Sequence, residues 1–423
     1  RARKVLSPLW RCQVRASGDY WEEEEEFERT SPEDIEVAAV DRAGLFGWGH
    51  SDRGQLGQGT SVQLVPGITE LKFSNLDTAD ITHAVAQEES SFFINKRNEF
   101  FGVGNCQSGN CGFVLDTPVY DPIPFHKSTG DSVQLDSSSI KQISSGRFHT
   151  LFLTGAGDTY ISGSSRQHQL GFGKERSEPQ FHPAPLDIPS KVKEVSGGSF
   201  HSMAITESGD LYSWGTNLCC QLDHGDFNAR YTPHKVEDLF PIRTGATSVF
   251  HTLVVGEEDN CLFGWGQSKS GQLGNLSKRG NTIPEPTEIP HSIEDNIVKV
   301  FCGVYHNILL TDTGDVYAFG DNSNSQLGIS SLQPSKYRTP QIIPSLSGLG
   351  IDDIVIGTDY NFALSRKNGT VHAWGFAPDY QFGVAKNAVW QKPQLIIQVP
   401  PHLHLKEFST GGYHSWMIIT QKE

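Results

Sequence analysis

Short apolar runs, five or six residues long, alternate along this chain with tight polar turns. The clearest example is His201 to Leu222. It opens with His201-Ser-Met-Ala-Ile205, turns through Glu207-Ser-Gly-Asp210, runs apolar again to Trp214-Gly215, and reaches Gln221-Leu222 through a polar loop. Two such runs joined by a turn in which Gly209 can take positive φ predict a β-hairpin. One hairpin alone is marginal in water, so the number of copies decides the fold.

The pattern recurs from residue 44 to the end. Gly44-Leu-Phe-Gly-Trp48-Gly49 supplies a second half only, followed by Gly54-Gln-Leu-Gly57. A degenerate copy without the His covers 90–104, and fuller copies cover 148–163, 200–215, 250–266, 305–320 and 360–375. A lone first half, from Tyr413, ends the chain. The Gly that closes each second run stands at 49, 104, 163, 215, 266, 320 and 375, so the spacings are 55, 59, 52, 51, 54 and 55. The 48 residues after Gly375 and the six from Gly44 to Gly49 together make 54, one further period. The orphan halves are thus one repeat split between the two ends. This predicts an all-β chain, a seven-bladed β-propeller over 44–423 closed by pairing of N- and C-terminal strands, and an irregular N-terminal arm over 1–43. Closure of this kind leaves no exposed sheet edge.

Repetition separates frame from chemistry. His149, His201, His251, His306 and His414 share one slot, each after an aromatic residue (Phe148, Phe200, Phe250, Tyr305, Tyr413). A catalytic imidazole is needed once, whereas a strut is needed in every blade, so these residues are expected to hydrogen-bond within or between blades. Trp48, Trp214, Trp265 and Trp374, with Phe319 in the same slot, are expected to pack between sheets. Binding residues are then sought where the copies differ, in the loops between the Trp-Gly and Gln-Leu-Gly elements. Arg53, Arg166, His168, Lys269, Asp321, Asp379 and Tyr380 are the candidates for a partner-binding surface on one rim or face. The longest insertion, 111–139, is a second candidate stretch.

Charge narrows the partner. The chain has 34 Lys and Arg against 49 Asp and Glu, a net charge of −15, and residues from 44 onward carry −11. An acidic body repels phosphate, which disfavours nucleic acid as a partner of the propeller. No run approaches the twenty apolar residues of a membrane span. Seven scattered cysteines match a reducing compartment, with most thiols acting as small buried hydrophobes. Cys219-Cys220 and Cys106/Cys111 lack a complementary set with zinc spacing, so no metal and no cofactor is expected. In the arm, Arg1, Arg3, Lys4, Arg11 and Arg15 precede the acidic run Glu22–Glu26, and Trp10, Tyr20, Trp21 and Phe27 are anchors of the kind docking segments use. A basic start also matches the remnant of an organelle presequence.

The Gly-x-x-His, Gly-turn hairpin, Tyr-x-Trp-Gly and Gly-Gln-Leu-Gly elements resemble those of the regulator of chromosome condensation family, over residues 44–423. The resemblance implies a seven-bladed propeller. It also raises nucleotide exchange, because founding members act on the Ran GTPase through binding rather than covalent catalysis. This chain departs from them: it has Phe-His or Tyr-His steps, no doubled His, and short loops after its Trp-Gly elements. No P-loop, GxGxxG or Ser/His/Asp order is present. The expectation is therefore a non-enzymatic interaction scaffold or complex subunit with no catalytic residues, docking a protein partner through its loops. The alternatives are a guanine-nucleotide exchange factor for a small GTPase, or an organelle (mitochondrial) assembly or ribosome-associated factor. The compartment expected is intracellular, in cytoplasm or nucleus, with the mitochondrion suggested by the basic start.

Overall fold

The computed structural model describes residues 35–125, 135–174, 178–274, 282–330 and 334–422. The arm up to residue 34 and part of the long insertion, 126–134, lie outside the described residues. Seven antiparallel sheets surround a central channel of about 660 Å³. Each sheet is a blade whose four strands run outward in chain order. In blade 4 these are Val192–Gly197, His201–Thr206, Leu211–Gly215 and Arg230–Lys235. Blades 2, 3, 5, 6 and 7 span 81–124, 140–185, 242–288, 297–342 and 353–398 in the same order.

Blade 1 closes the ring. Leu403–Thr410 and His414–Gln421 are its inner two strands, and Gly44–His50 and Leu64–Glu70 its outer two. The seam between the chain ends is a regular antiparallel ladder from Gly44↔Ile419 to Gly49↔His414. Ala38–Ala39, residues that the sequence pattern assigns to the arm, add a fifth strand to blade 7, parallel to Ile397 and Gln398.

Burial follows from this geometry. The second strand of a blade has a neighbouring blade on both faces, so His149–Thr154, His201–Thr206, His251–Gly256, His306–Thr311 and Tyr360–Ser365 are buried at every residue. Such strands read as continuous apolar runs rather than alternating ones. The outer strands, such as Arg230–Lys235, keep one face in water and are half exposed.

The repeated side chains join one blade to the next through a single node. The backbone carbonyl of Gln169 in blade 3 accepts from the Trp214 indole of blade 4 at 2.8 Å and from the Ser202 hydroxyl at 2.9 Å. Ser202 in turn receives Nε2 of His149 at 2.7 Å, back from blade 3. The same circuit joins blades 4 and 5 through Gln221, Trp265, Thr252 and His201. Blades 6 and 7 use Gln326, Trp374, Asn361 and His306. Between blades 5 and 6, Phe319 has no N–H, and Asn307 alone reaches the Gln272 carbonyl while receiving His251 at 2.7 Å. Between blades 1 and 2, Ser91 accepts from His414 and the Trp416 indole and donates to the Gln55 carbonyl.

Two seams lack the imidazole and solve the problem differently. In blade 7 the Tyr360 hydroxyl meets Thr410 at 2.9 Å and the Gly411 carbonyl at 3.0 Å. In blade 2 Gln87 replaces the Gly of the Gly-x-x-His turn, and its amide reaches Thr150 of blade 3 at 2.9 Å. In four of the five blades with the imidazole that position is glycine, and a Cβ on Gly303 would lie 2.3 Å from the His306 ring, whereas in blade 5 it is Ser248, whose hydroxyl meets His251 Nδ1 at 2.7 Å. All five histidines and the four repeated tryptophans are fully buried.

Donor logic fixes the protonation of these rings. Asn307 and Asn361 spend Nδ2 on glutamine carbonyls, so their Oδ1 atoms accept from histidine Nε2–H. Burial holds His149, His201 and His414 down to about 3 and His251 and His306 to about 4. Unfolded imidazoles take a proton near 6.5, so below that value the unfolded chain binds more protons than the folded one. The melting temperature is therefore expected to fall steadily as pH drops from about 6.5 towards 4. His306→Gln should flatten that slope in a pH series of thermal unfolding curves, and an unchanged slope would remove the histidines as its source.

The closing glycine allows a second test. Gly215 has φ +105, and a Cβ there would lie 2.6 Å from the Phe200 carbonyl. Gly215→Ala should cost about 3 kcal/mol. Trp214→Phe, which keeps most of the packing but loses one hydrogen bond, should cost about 1 kcal/mol. Denaturant unfolding of the two variants checks the ranking.

Candidate functional site

Four antiparallel strands per blade put two sets of connections at each end of the propeller. The turns from inner to second strand and the loops from third to outer strand share one end, called here the loop face. Six of the seven candidate residues, Arg53, Arg166, His168, Lys269, Asp379 and Tyr380, belong to third-to-outer connections, and Asp321 ends the third strand of blade 6 at the same face.

The loops are held from within by the repeat. The glutamine of each Gln-Leu element turns its Oε1 back to accept the backbone N–H two residues earlier, as at Arg53, Gln167, Cys219, Ser270, Asn324 and Asp379, at 2.7–2.9 Å. The residue before that glutamine, or before Asn110 in blade 2, always has positive φ. Glycine fills the slot at 54, 109 and 271, but His168, Cys220, Ser325 and Tyr380 fill it with φ +62, +58, +62 and +59. Each such side chain costs of order 1 kcal/mol of backbone strain.

The seven candidates form three groups around the rim rather than one cleft. Arg53 and Asp379 meet across the closing seam through His50, whose Nδ1 lies 3.4 Å from Asp52 and whose Nε2 lies 3.4 Å from Asp379. Arg53 pairs with Asp52 at 3.7 Å, and Tyr380 is the next residue along from Asp379. Asp379 first, then Asp52, raise the His50 pKa against the opposing effect of burial. Lys269 and Asp321 lie on either side of Lys336, whose ammonium reaches the Lys269 carbonyl at 3.4 Å and whose backbone pairs with Asp321. In the third group the His168 ring stands edge-on to Tyr231 at 4.3 Å, with Lys174 over the same phenol at 5.7 Å. Arg166 projects into solvent nearby.

The charge-based search missed the apolar part of this face. Of eight exposed large hydrophobic residues among the described ones, five are here: Val114, Leu115, Leu218, Phe227 and Tyr413. Leu218 and Phe227, 64% and 63% exposed, lie in the blade 4 loop with Cys219 and Cys220. An apolar run inside a loop element was the available signal. Of the long insertion, the described part supplies the Val119–Pro124 strand and buried Phe125, and 126–134 lie outside the described residues.

The cysteine reading needs one correction. Cys106 and Cys111 are neither free thiols nor metal ligands but a disulfide, with Cα atoms 5.3 Å apart, pinning the blade 2 loop. The short loop turns the two side chains toward each other, a contact that their five-residue spacing did not reveal. Burial raises the thiols of Cys219, Cys220, Cys261 and Cys302, which makes them poor nucleophiles. Among the described residues no group of three or more His, Cys, Asp or Glu is arranged to hold a metal, and no helix is long and apolar enough to cross a membrane.

The repeat has known counterparts. The profile described as the regulator of chromosome condensation (RCC1) repeat matches residues 156–205, 259–310 and 313–364, and a second profile of the same description matches 192–221 and 297–326. The chain carries RCC1 repeats. Over 380 residues, 86% of this chain, it is 27% identical to mouse E3 ubiquitin-protein ligase HERC2, but that match takes in 7% of HERC2. The ultraviolet-B receptor UVR8 of Arabidopsis thaliana is 28% identical over 307 residues, 72% of this chain and 66% of the receptor. The mitochondrial RCC1 domain-containing protein RUG3 of the same plant is 31% identical over 262 residues, 60% of this chain and 58% of RUG3. Among solved structures, human WBSCR16 superposes with a TM-score of 0.73 at 22% identity, covering 90% of this chain and 99% of that one. Prp20p of Saccharomyces cerevisiae gives 0.74 at 19% identity, with 93% and 95% covered. These RCC1-repeat likenesses concern the propeller.

The closing-seam cluster gives a direct test. Asp379→Asn removes the largest influence raising His50, so the His50 imidazole should titrate at a lower pH in a histidine-resolved NMR series. An unchanged titration would mean that Asp379 does not act on it.

Proposed function

We propose that this RCC1-repeat protein is a non-enzymatic docking module that holds a protein partner on its loop face. The observation that carries the reading is the uneven surface: most exposed large hydrophobic residues stand on this face, beside three clusters of ionic and aromatic side chains. Apolar anchors bordered by charge are the anatomy of a protein interface. The net charge of −11 on residues 44–423 supports a protein rather than a nucleic-acid partner. The thiols held protonated by burial favour binding over covalent chemistry. The activities of HERC2 and UVR8 are not carried over, because the chain spans 7% and 66% of their lengths.

Nucleotide exchange is the second reading, favoured by the fold of Prp20p, whose structure was described together with its binding to Gsp1p and histones. Exchange also works through binding complementarity. An organelle role rests on the basic first fifteen residues and on the similarity to mitochondrial RUG3.

Cross-linking mass spectrometry of the affinity-captured complex, with a lysine-reactive reagent, tests the face. Links are expected from Lys174, Lys269, Lys336 and Lys386 on the loop face. Links confined to Lys96, Lys191, Lys367 and Lys406 at the opposite end would overturn the proposal. In a fluorescent-nucleotide release assay over a panel of small GTPases, a docking module leaves the release rate unchanged, and a stimulation of tenfold or more would favour exchange instead.

A further inference from the structure

One position of the buried frame departs from the repeat in blade 3. The residue four before the closing glycine is Leu45, Phe100, Leu211, Leu262, Val316 or Val371 in the other six blades, and all six are buried. Blade 3 has Thr159 there, 4% exposed, and its hydroxyl has no hydrogen-bond partner among the described residues. Burying a hydroxyl without a partner is costly. Valine has the same branched shape without that cost, and blades 6 and 7 use it at this position. The frame therefore does not ask for the hydroxyl.

Thr159 lines a half-open cavity of about 390 Å³ at the end opposite the loop face, between the hairpin turn of blade 3 and the connection to blade 4. Leu186 N–H donates to the Thr159 carbonyl at 2.9 Å and Val192 N–H to the Gly157 carbonyl at 3.0 Å, which fixes the connection across the hairpin. The connection that leaves blade 4 has the same length and the same two bonds, from Val236 to Leu211 and from Ile242 to Gly209. It carries Leu239 and Phe240 where blade 3 has Pro189 and Ser190, and Phe240 packs on Phe263 with ring centroids 4.5 Å apart.

Tyr160, Pro185, Leu186 and Ile188 give the cavity apolar walls. Its two charged lining residues, Asp158 and Lys191, are exposed at the rim and pair with each other at 2.6 Å, so neither charge is left for an occupant. An apolar cavity of about 150 Å³ is enough to hold benzene, and pockets of several hundred Å³ with few polar groups are typical small-molecule sites.

We infer that this pocket binds a compact, uncharged, mainly apolar molecule through one oxygen that accepts from the Thr159 hydroxyl. The apolar walls supply the affinity, and the hydroxyl fixes the orientation. The pocket stands apart from the loop face, so either site can fail without the other.

Methyl-resolved NMR titrations of the full chain, followed at Leu186 and Ile188, test this with three single-ring probes: acetophenone, its near-isostere isopropylbenzene, and benzoate. Saturable shifts are expected with the two neutral probes and none with benzoate. Thr159→Val should unfold no earlier than the wild type in a thermal scan. It should weaken acetophenone about fivefold, the worth of one hydrogen bond, and leave isopropylbenzene no weaker. The inference would be overturned by any of four results: no saturable shift with acetophenone, benzoate binding as tightly as acetophenone, an unchanged acetophenone affinity in Thr159→Val, or an equal loss for both neutral probes.

Discussion

A single backbone carbonyl, that of the glutamine in the Gln-Leu element, carries the connection from blade to blade. At three seams it accepts two donors from the following blade, an indole N–H and a Ser, Thr or Asn side chain, and the second of these is tied back by an imidazole. Every group in the node is buried, so each hydrogen bond is made away from water, where an unpaired partner is costly. The node joins neighbours only, yet seven seams close a circle, and weakening one loosens the fit of the ring. The different solutions at blades 2 and 7, with Gln87 and Tyr360, show that the requirement is a filled and satisfied seam rather than a particular imidazole.

The same glutamine links frame to function. Its carbonyl holds the next blade while its side chain holds the loop before it, so loop geometry is inherited from the packing below. The loop side chains that do not enter the node are free to differ. Four blades carry His168, Cys220, Ser325 or Tyr380 in a backbone conformation suited to glycine, at some cost in strain. A surface built this way presents varied chemistry on rigid supports, which lowers the ordering cost of binding a partner.

Most of the architecture was legible in the period. The spacing of closing glycines near 54 residues and the split repeat led to seven blades and to the ladder between Gly44–His50 and His414–Gln421. Counting alone set the repeated histidines and tryptophans apart from the residues that differ between copies. What the pattern did not reveal was the glutamine carbonyl, because a backbone acceptor leaves no residue type to read. The Cys106–Cys111 disulfide was missed because a loop, and not a strand register, brings the pair together. On the loop face, the charged candidates were found by comparing copies, and their placement at one end follows from strand order. Leu218 and Phe227 escaped because exposure is a property of the folded surface.

The central claim is that repeated residues build the ring while the departures from repetition bind. Melting temperature and affinity for the captured partner, measured side by side on His306→Gln and on Leu218→Ser with Phe227→Ser, test it most directly. The account predicts a lower melting temperature with unchanged affinity for the folded His306 variant, and unchanged melting with lost affinity for the loop variant. A fully folded His306→Gln protein that no longer binds would contradict it.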